Sequence, residues 1–184
     1  MIVEKYKVIK FEKVTSTMDI AKRFLKEGNI IILAEEQTEG RGRYGRKWIS
    51  PRGGLYFSFV IEKGFETDYL SEITALSLID TFKNFGIKDC KIKFPNDIII
   101  NEKKIAGILI EKIDNFYIVG VGVNVKENKE LRNLNCITME EILRKKIEVE
   151  EVFSNFIKNF EKIKKIFKEN FEYGLKIWSE NLLK

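Results

Sequence analysis

Histidine is absent from this sequence. Its absence removes Ser–His and Cys–His nucleophilic catalysis and most zinc sites together, since imidazole is the usual base or ligand in all three. Acid–base or electrostatic chemistry must therefore come from Lys, Arg, Asp, Glu or the backbone. Cysteine is scarce: Cys90 and Cys136 are the two present, with neither metal-ligand spacing nor a disulfide framework. No apolar run approaches the roughly 20 residues of a membrane span. The start, Met-Ile-Val-Glu-Lys-Tyr-Lys, lacks the apolar centre of a signal peptide, so the cytoplasm is the expected location. Proline occurs twice, at Pro51 and Pro95, and glutamine once, at Gln37.

The chain has 184 residues, 44% of them hydrophobic and 33% charged, the profile of a globular protein with a substantial core. A formal charge of +5 mildly favours anionic ligands, although solvated lysine faces explain it equally well. Arginine is concentrated. Four of the seven arginines and five of the 12 glycines fall between Gly40 and Gly54. Arginine offers a rigid fork of donors matched to carboxylate and phosphate oxygens, and glycine lets backbone approach a ligand closely. The combination predicts a loop that folds over an anion. Two rival readings fail. Gly40-x-Gly42-x-x-Gly45 matches the dinucleotide fingerprint by letter, but Ser50-Pro51-Arg52-Gly53-Gly54 follows where a helix should open. An RGG-like RNA-binding segment does not suit Trp48 and the apolar stretches on both sides. A solvated basic surface is the bland alternative.

Residues 2–14 partly alternate and read as a strand. Ser16-Thr17 then precedes Met18, Ile20, Ala21, Phe24 and Leu25 at helical spacing, with Gly28 as the stop. Here a helix N-cap and a ligand contact are both open readings. Strands are expected at Ile30–Glu36 and Leu55–Ile61, and a core-facing helix at Tyr69–Phe85. Three short strands follow within Lys91–Glu111, broken at Pro95 and turned at Asn101-Glu102-Lys103. Phe116–Val125 gives another, with Gly120 and Gly122 alternating. From Thr138 the chain turns helical, with apolar residues at helical spacing from Val149 to Trp178. The expected architecture is one α/β domain of the α+β type, a mixed sheet of about seven strands with helices mainly on one face.

Gly40-Arg41-Gly42-Arg43-Tyr44-Gly45-Arg46-Lys47-Trp48 resembles the GRGRxGRxW signature of biotin–protein ligases. Lys93-Phe94-Pro95-Asn96-Asp97 is similar to that family's KWPND, and Lys104-Ile105-Ala106-Gly107-Ile108-Leu109 to its K(L/I)xGIL. Gly122-Val123-Asn124 is similar to G(I/V)N and Ser16-Thr17 to the ST(N) near the start. One such match is weak, but the ordered set is specific. The resemblance implies a class II synthetase-like fold and a two-step reaction. Biotin and Mg-ATP give biotinyl-5′-AMP, and a lysine of a biotin carboxyl carrier protein or domain then attacks it.

By that resemblance, Lys104, Arg41 and Arg43 are the catalytic cations. Ser16, Thr17, Gln37, Gly40, Arg41, Lys104 and Gly107 bind biotin. Arg43, Arg46, Trp48, Asn96, Asp97, Lys104 and Asn124 bind ATP, and Asp97 also holds or positions Mg²⁺. A solvated turn lysine is the alternative for Lys104 and an Asx-turn that for Asp97. Phe94 replaces the family's tryptophan and Met18 its frequent asparagine. The catalytic domain is expected to span 1–184, without the SH3-like module that usually follows and without a helix-turn-helix ahead of it. Hence neither DNA nor membrane is an expected partner; a homodimer through the sheet stays open. A lipoate–protein ligase and a non-catalytic biotin- or nucleotide-binding protein are the alternative functions. Lipoyl has no ureido group to satisfy Ser16, Thr17 and Gln37, and the arginine loop matches the biotin branch better.

Overall fold

The computed structural model describes residues 2, 3, 5–64 and 68–184. Its centre is one eight-stranded sheet in the order β1-β2-β3-β4-β8-β7-β6-β5. The strands are β1 (Ile2–Val3), β2 (Tyr6–Val14), β3 (Ile30–Gln37), β4 (Leu55–Glu62), β5 (Lys91–Lys93), β6 (Asp97–Ile100), β7 (Lys103–Ile113) and β8 (Phe116–Val123). The count exceeds the expected seven because the first strand divides: Ile2–Val3 folds back antiparallel on Tyr6–Lys7, and residue 4 lies outside the described residues. β2 and β3 are parallel, and the other neighbouring strands are antiparallel. A parallel pair needs a crossover. Here it is α1 (Thr17–Ala21), continued as a 3₁₀ turn over Lys22–Glu27. Gly28 ends the segment at φ +55, the expected stop.

The sheet's two faces are covered unequally. On one face lie α2 (Leu70–Asn84), α4 (Val149–Glu169) and α5 (Phe171–Glu180); α3 (Met139–Leu143) leads into α4. α4 is helical because Val152, Phe153, Phe156, Ile157, Phe160, Ile163 and Phe167 recur every three or four residues on one stripe. The stripe is buried, with Phe156 5.0 Å from Phe57 and Phe160 4.9 Å from Phe59, both edge-on. The helical tail is two helices rather than one, because Asn170 leaves helical geometry and its side chain accepts from Tyr173 N. On the opposite face a smaller core joins Met18 and Ala21 of α1 to Ile30, Ile32, Val60 and Ile118. This thinly covered face carries the site.

Candidate active site

Strand register builds the site's floor. Gly107 of β7 faces Gly122 of β8, Leu109 faces Gly120, and Glu111 faces Ile118. The pleat sends these side chains to the α1 face, together with Tyr56, Ser58 and Asp97, which pair with Gly122, Gly120 and Gly107. Glycine at both 107 and 122 leaves a trough, and Trp48 lies across it. A Cβ at Gly122 would stand 2.6 Å from the indole, and one at Gly107 2.9 Å. Gly120 serves Met18 in the same way, with Sδ 2.8 Å from the place of its missing Cβ.

The arginine loop is the roof. It closes on itself through Gly42 N to Arg46 O at 2.7 Å and Trp48 N to Gly40 O at 2.8 Å. Tyr44, at the tip, is exposed with φ 58. The Arg41 guanidinium turns inward: Nη1 donates to Asp19 Oδ1 and Oδ2 at 2.7 and 2.6 Å, and Nη2 to Glu111 Oε1 at 3.2 Å. Burial disfavours the Asp19 carboxylate, but the bonds from Arg41 and Lys22 outweigh it and hold its pKa below the ordinary value. The same bond from Arg41 raises the guanidinium pKa further. Arg43 Nη1 reaches Asn96 Oδ1 at 3.5 Å, and Arg46 stays exposed, with Nε donating to Arg43 O at 3.3 Å.

At one end of the trough sits a polar relay. Gln37 Oε1 accepts from Thr17 N at 2.8 Å and Thr17 Oγ1 at 3.1 Å, while Gln37 Nε2 donates to Ser50 Oγ at 2.9 Å. Ser50 Oγ donates onward to Trp48 O at 3.0 Å, and Thr17 Oγ1 lies 2.8 Å from Ser58 Oγ. Ser16 occupies the N-cap position of α1, yet its side chain makes no capping bond. α1 has five residues, and the Thr17 N–H is already donated to Gln37. Sequence reasoning missed Ser50 and Ser58, both buried. Ser58 carried a signal, as the one polar residue inside Leu-Tyr-Phe-Ser-Phe-Val-Ile.

At the other end stands Lys104. A register shift between Ile98 and Ile99 lets its side chain fold back over Gly107. Nζ is 2.7 Å from Asp97 Oδ1 and 4.7 Å from the centre of the Trp48 ring. Asn124 Nδ2 donates to Lys104 O at 3.2 Å, and Asn96 Nδ2 to Ile108 O at 3.1 Å, so both brace β7. Among the described residues, the buried side-chain atoms with no hydrogen-bond partner are Trp48 Nε1, Asp97 Oδ1 and Thr74 Oγ1. The Asp97 oxygen meets Lys104 as an ion pair outside hydrogen-bond alignment. Trp48 Nε1, which also flanks Lys104, is left for a ligand to satisfy.

Two hollows meet at Trp48, Asn96 and Lys104. The smaller, about 40 Å³, lies beneath the roof and is lined by Thr17, Gln37, Arg41 and Gly107. That is room for a few waters, so an organic ligand enters only if the roof or the lining side chains move. The wider, about 240 Å³, is lined by Arg43, Arg46 and Asn124, with an apolar wall of Leu131, Leu134 and Cys136 that the sequence did not point to. The chain thus brings together the residues from Ser16 to Asn124 singled out in its sequence. Gly40 sits behind the lining, where a Cβ would come 2.5 Å from Trp48 O.

Residues 8–128 match the biotin/lipoate A/B protein ligase family. The chain belongs to that family. Among curated relatives, the bifunctional ligase/repressor BirA of Escherichia coli K12 is 33% identical over 129 residues. That match covers 64% of this chain and 40% of the relative, and the chain spans about half the length, or less, of such relatives. Among solved structures, the Aquifex aeolicus biotin protein ligase in complex with biotin and ATP superposes with a TM-score of 0.79 at 33% identity, covering 89% of this chain and 72% of that one. The Leishmania major biotin protein ligase in complex with biotinyl-5-AMP gives 0.82 at 26%, covering 96% and 83%. The Plasmodium falciparum LipL1 in complex with lipoate, at 16% identity and 0.68 over 89% of this chain and 62% of that one, shares the fold.

Proposed function

We propose that this family member activates biotin with ATP to biotinyl-5′-AMP and transfers the biotinyl group to one lysine of a biotin carboxyl carrier protein or domain. The observation that carries the reading is the single glycine-floored trough, with the Thr17–Gln37 relay at one end and Lys104 where it meets the wider hollow. A ureido ring both donates and accepts hydrogen bonds, as the relay's side chains do. The wider hollow offers an apolar wall for a base and arginines for phosphates.

In the first step a biotin carboxylate oxygen bonds to the α-phosphorus, and the bond to the bridging oxygen breaks to release pyrophosphate. Two anions must meet; at 4 Å their repulsion is about 1 kcal/mol in water and about 4 at an effective dielectric of 20. A fixed cation offsets it, and Lys104 stands where the hollows join. Arg41 is already held by two carboxylates, while Arg43 and Arg46 face the hollow assigned to the nucleotide. In the second step the acceptor amine attacks the acyl carbon, AMP leaves, and the amine sheds its proton. No histidine is required.

Magnesium is commonly held by one or two carboxylates plus substrate phosphates. The Asp97 carboxylate, its buried Oδ1 now paired with Lys104, would be the carboxylate to hold it, and Asn124 would face the phosphates. The ion would neutralise phosphate charge. Among the described residues, no helix is long and apolar enough to cross a membrane. A carrier protein and ATP as substrates suit a cytoplasmic reaction.

Pyrophosphate release without acceptor tests the reading. Biotin should support release and lipoate should not, and Lys104→Ala should slow it by roughly 100- to 1,000-fold with a smaller loss of biotin affinity. Release driven by lipoate, or a Lys104→Ala rate within a few-fold of the parent, would sink it.

A further inference from the structure

The ions that hold Arg41 form a closed ring. Arg41 and Lys22 each contact both Asp19 and Glu111: Arg41 at 2.6 and 3.2 Å, Lys22 at 3.3 and 3.0 Å. The four side chains come from four places: the roof, α1, the 3₁₀ turn after it, and β7. All are one-third exposed, and none of the other three was singled out with Arg41 in the sequence. Among the described residues, no other side chain of residues 40–48 ion-pairs with the body of the protein. The loop's backbone–backbone bonds at 42 and 48 tie it to itself, and two further side-chain bonds meet neutral partners: Ser50 Oγ to Trp48 O, and Arg43 to Asn96 at 3.5 Å. The hollow of about 40 Å³ must nevertheless widen to admit an organic ligand, and the roof is one of its walls.

We infer that Asp19 and Glu111, with Lys22 balancing their charge, are a latch: they grip Arg41 and set how readily the arginine loop opens over the bound intermediate. They are positioning residues, acting on the ligand through Arg41. The idea rests on the adenylate chemistry proposed above only for its enzymatic readout. Their places explain the grip. Asp19 is fixed because Met18 and Ala21 beside it are buried in the smaller core. Glu111 is fixed by register, two residues beyond Leu109 on the trough's own face. Both oxygens of Asp19 accept from the one Nη1 of Arg41; such charge-assisted bonds are stronger than neutral ones, and partial exposure makes them sensitive to salt.

The experiment uses the full chain carrying Trp178→Phe, so that fluorescence reports Trp48 alone. Asp19→Asn and the Asp19→Asn/Glu111→Gln pair keep shape and remove charge; Asp19→Glu restores the charge. The latch predicts that the double variant releases preformed biotinyl-adenylate on the order of tenfold faster and exposes Trp48 to acrylamide. Asp19→Glu should recover most of the effect. Added salt should accelerate release in the parent and leave the double variant unmoved. Release and quenching within twofold of the parent would overturn the latch, as would a lowered Tm with unchanged quenching. If the parent makes no adenylate, the ligase reading fails, and the quenching of Trp48 decides the latch by itself.

Discussion

Gly122→Ala adds one methyl group to the floor beneath Trp48, and its effect can be worked from the geometry. The new Cβ would lie 2.6 Å from Cε2 and Nε1 of the indole and 2.9 Å from Cζ2. Ordinary carbon contacts need about 3.5–4.0 Å, so the ring must lift by about 1 Å. A rigid indole cannot bend away, and Lys104 and the Trp48 N–H bond to Gly40 resist its sliding. Overpacking of this kind costs about 1–3 kcal/mol. The surface loop is softer than the central strands, so the cost should fall on closing the roof and not on the sheet. At 1.4 kcal/mol per decade, biotin and ATP affinity should drop about 5- to 140-fold, while thermal unfolding shifts by only a few degrees. Gly120→Ala is the control: its Cβ would meet Met18 Sδ at 2.8 Å and Cγ at 2.9 Å, and an unbranched thioether side chain re-packs more readily than an indole. Calorimetric titration should then show less than a threefold change. Parental binding by Gly122→Ala, or equal losses in both variants, would refute the idea that the indole and ligand share this floor.

Two further predictions concern the roof and the loop behind Asn124. Arg43→Gly removes the Arg43 contact with Asn96 and should let biotinyl-adenylate escape to label lysines indiscriminately; mass spectrometry of bystander proteins checks it, and unchanged acceptor selectivity counts against closure as its job. Glu140 is 4% exposed. Burial pushes its pKa up, but N–H groups of Ile147 and Glu127 outweigh that and hold it below the ordinary 4.5. A depressed folded pKa means the stabilisation is complete above the unfolded value and fades as pH falls through the folded one. Glu140→Gln should thus cost about 1–3 kcal/mol in urea unfolding at pH 7, and the gap to the parent should close below about pH 4.

Much of the sheet was legible because its strands announce themselves locally. Ile30–Gln37 and Leu55–Glu62 differ from the expected spans by one residue at their ends, and α2 by one at each. The break at Asn170 was not legible: apolar spacing runs through it, and an Asn that caps the next helix looks the same as one exposed on a continuous helix. The candidate site was legible as motifs, and the fold does gather them around one trough. Asp19, Glu111, Ser50 and Ser58 were not, because each acts through a partner 13 to 70 positions away.

What the sequence determined by itself was chemistry and local form. Without histidine, any acid–base or electrostatic chemistry had to rest on Lys, Arg, carboxylates or the backbone. The interleaved arginines and glycines had to make a loop, and the alternating apolar stretches had to make strands. Which carboxylates hold which cation is a different matter. Gly107 opposite Gly122 opens the trough, and Glu111 on the same face, with Asp19 beyond it, captures Arg41. Those outcomes depend on strand register and on the seating of α1. Both are set by burial across the whole sheet, and no local window of sequence contains them.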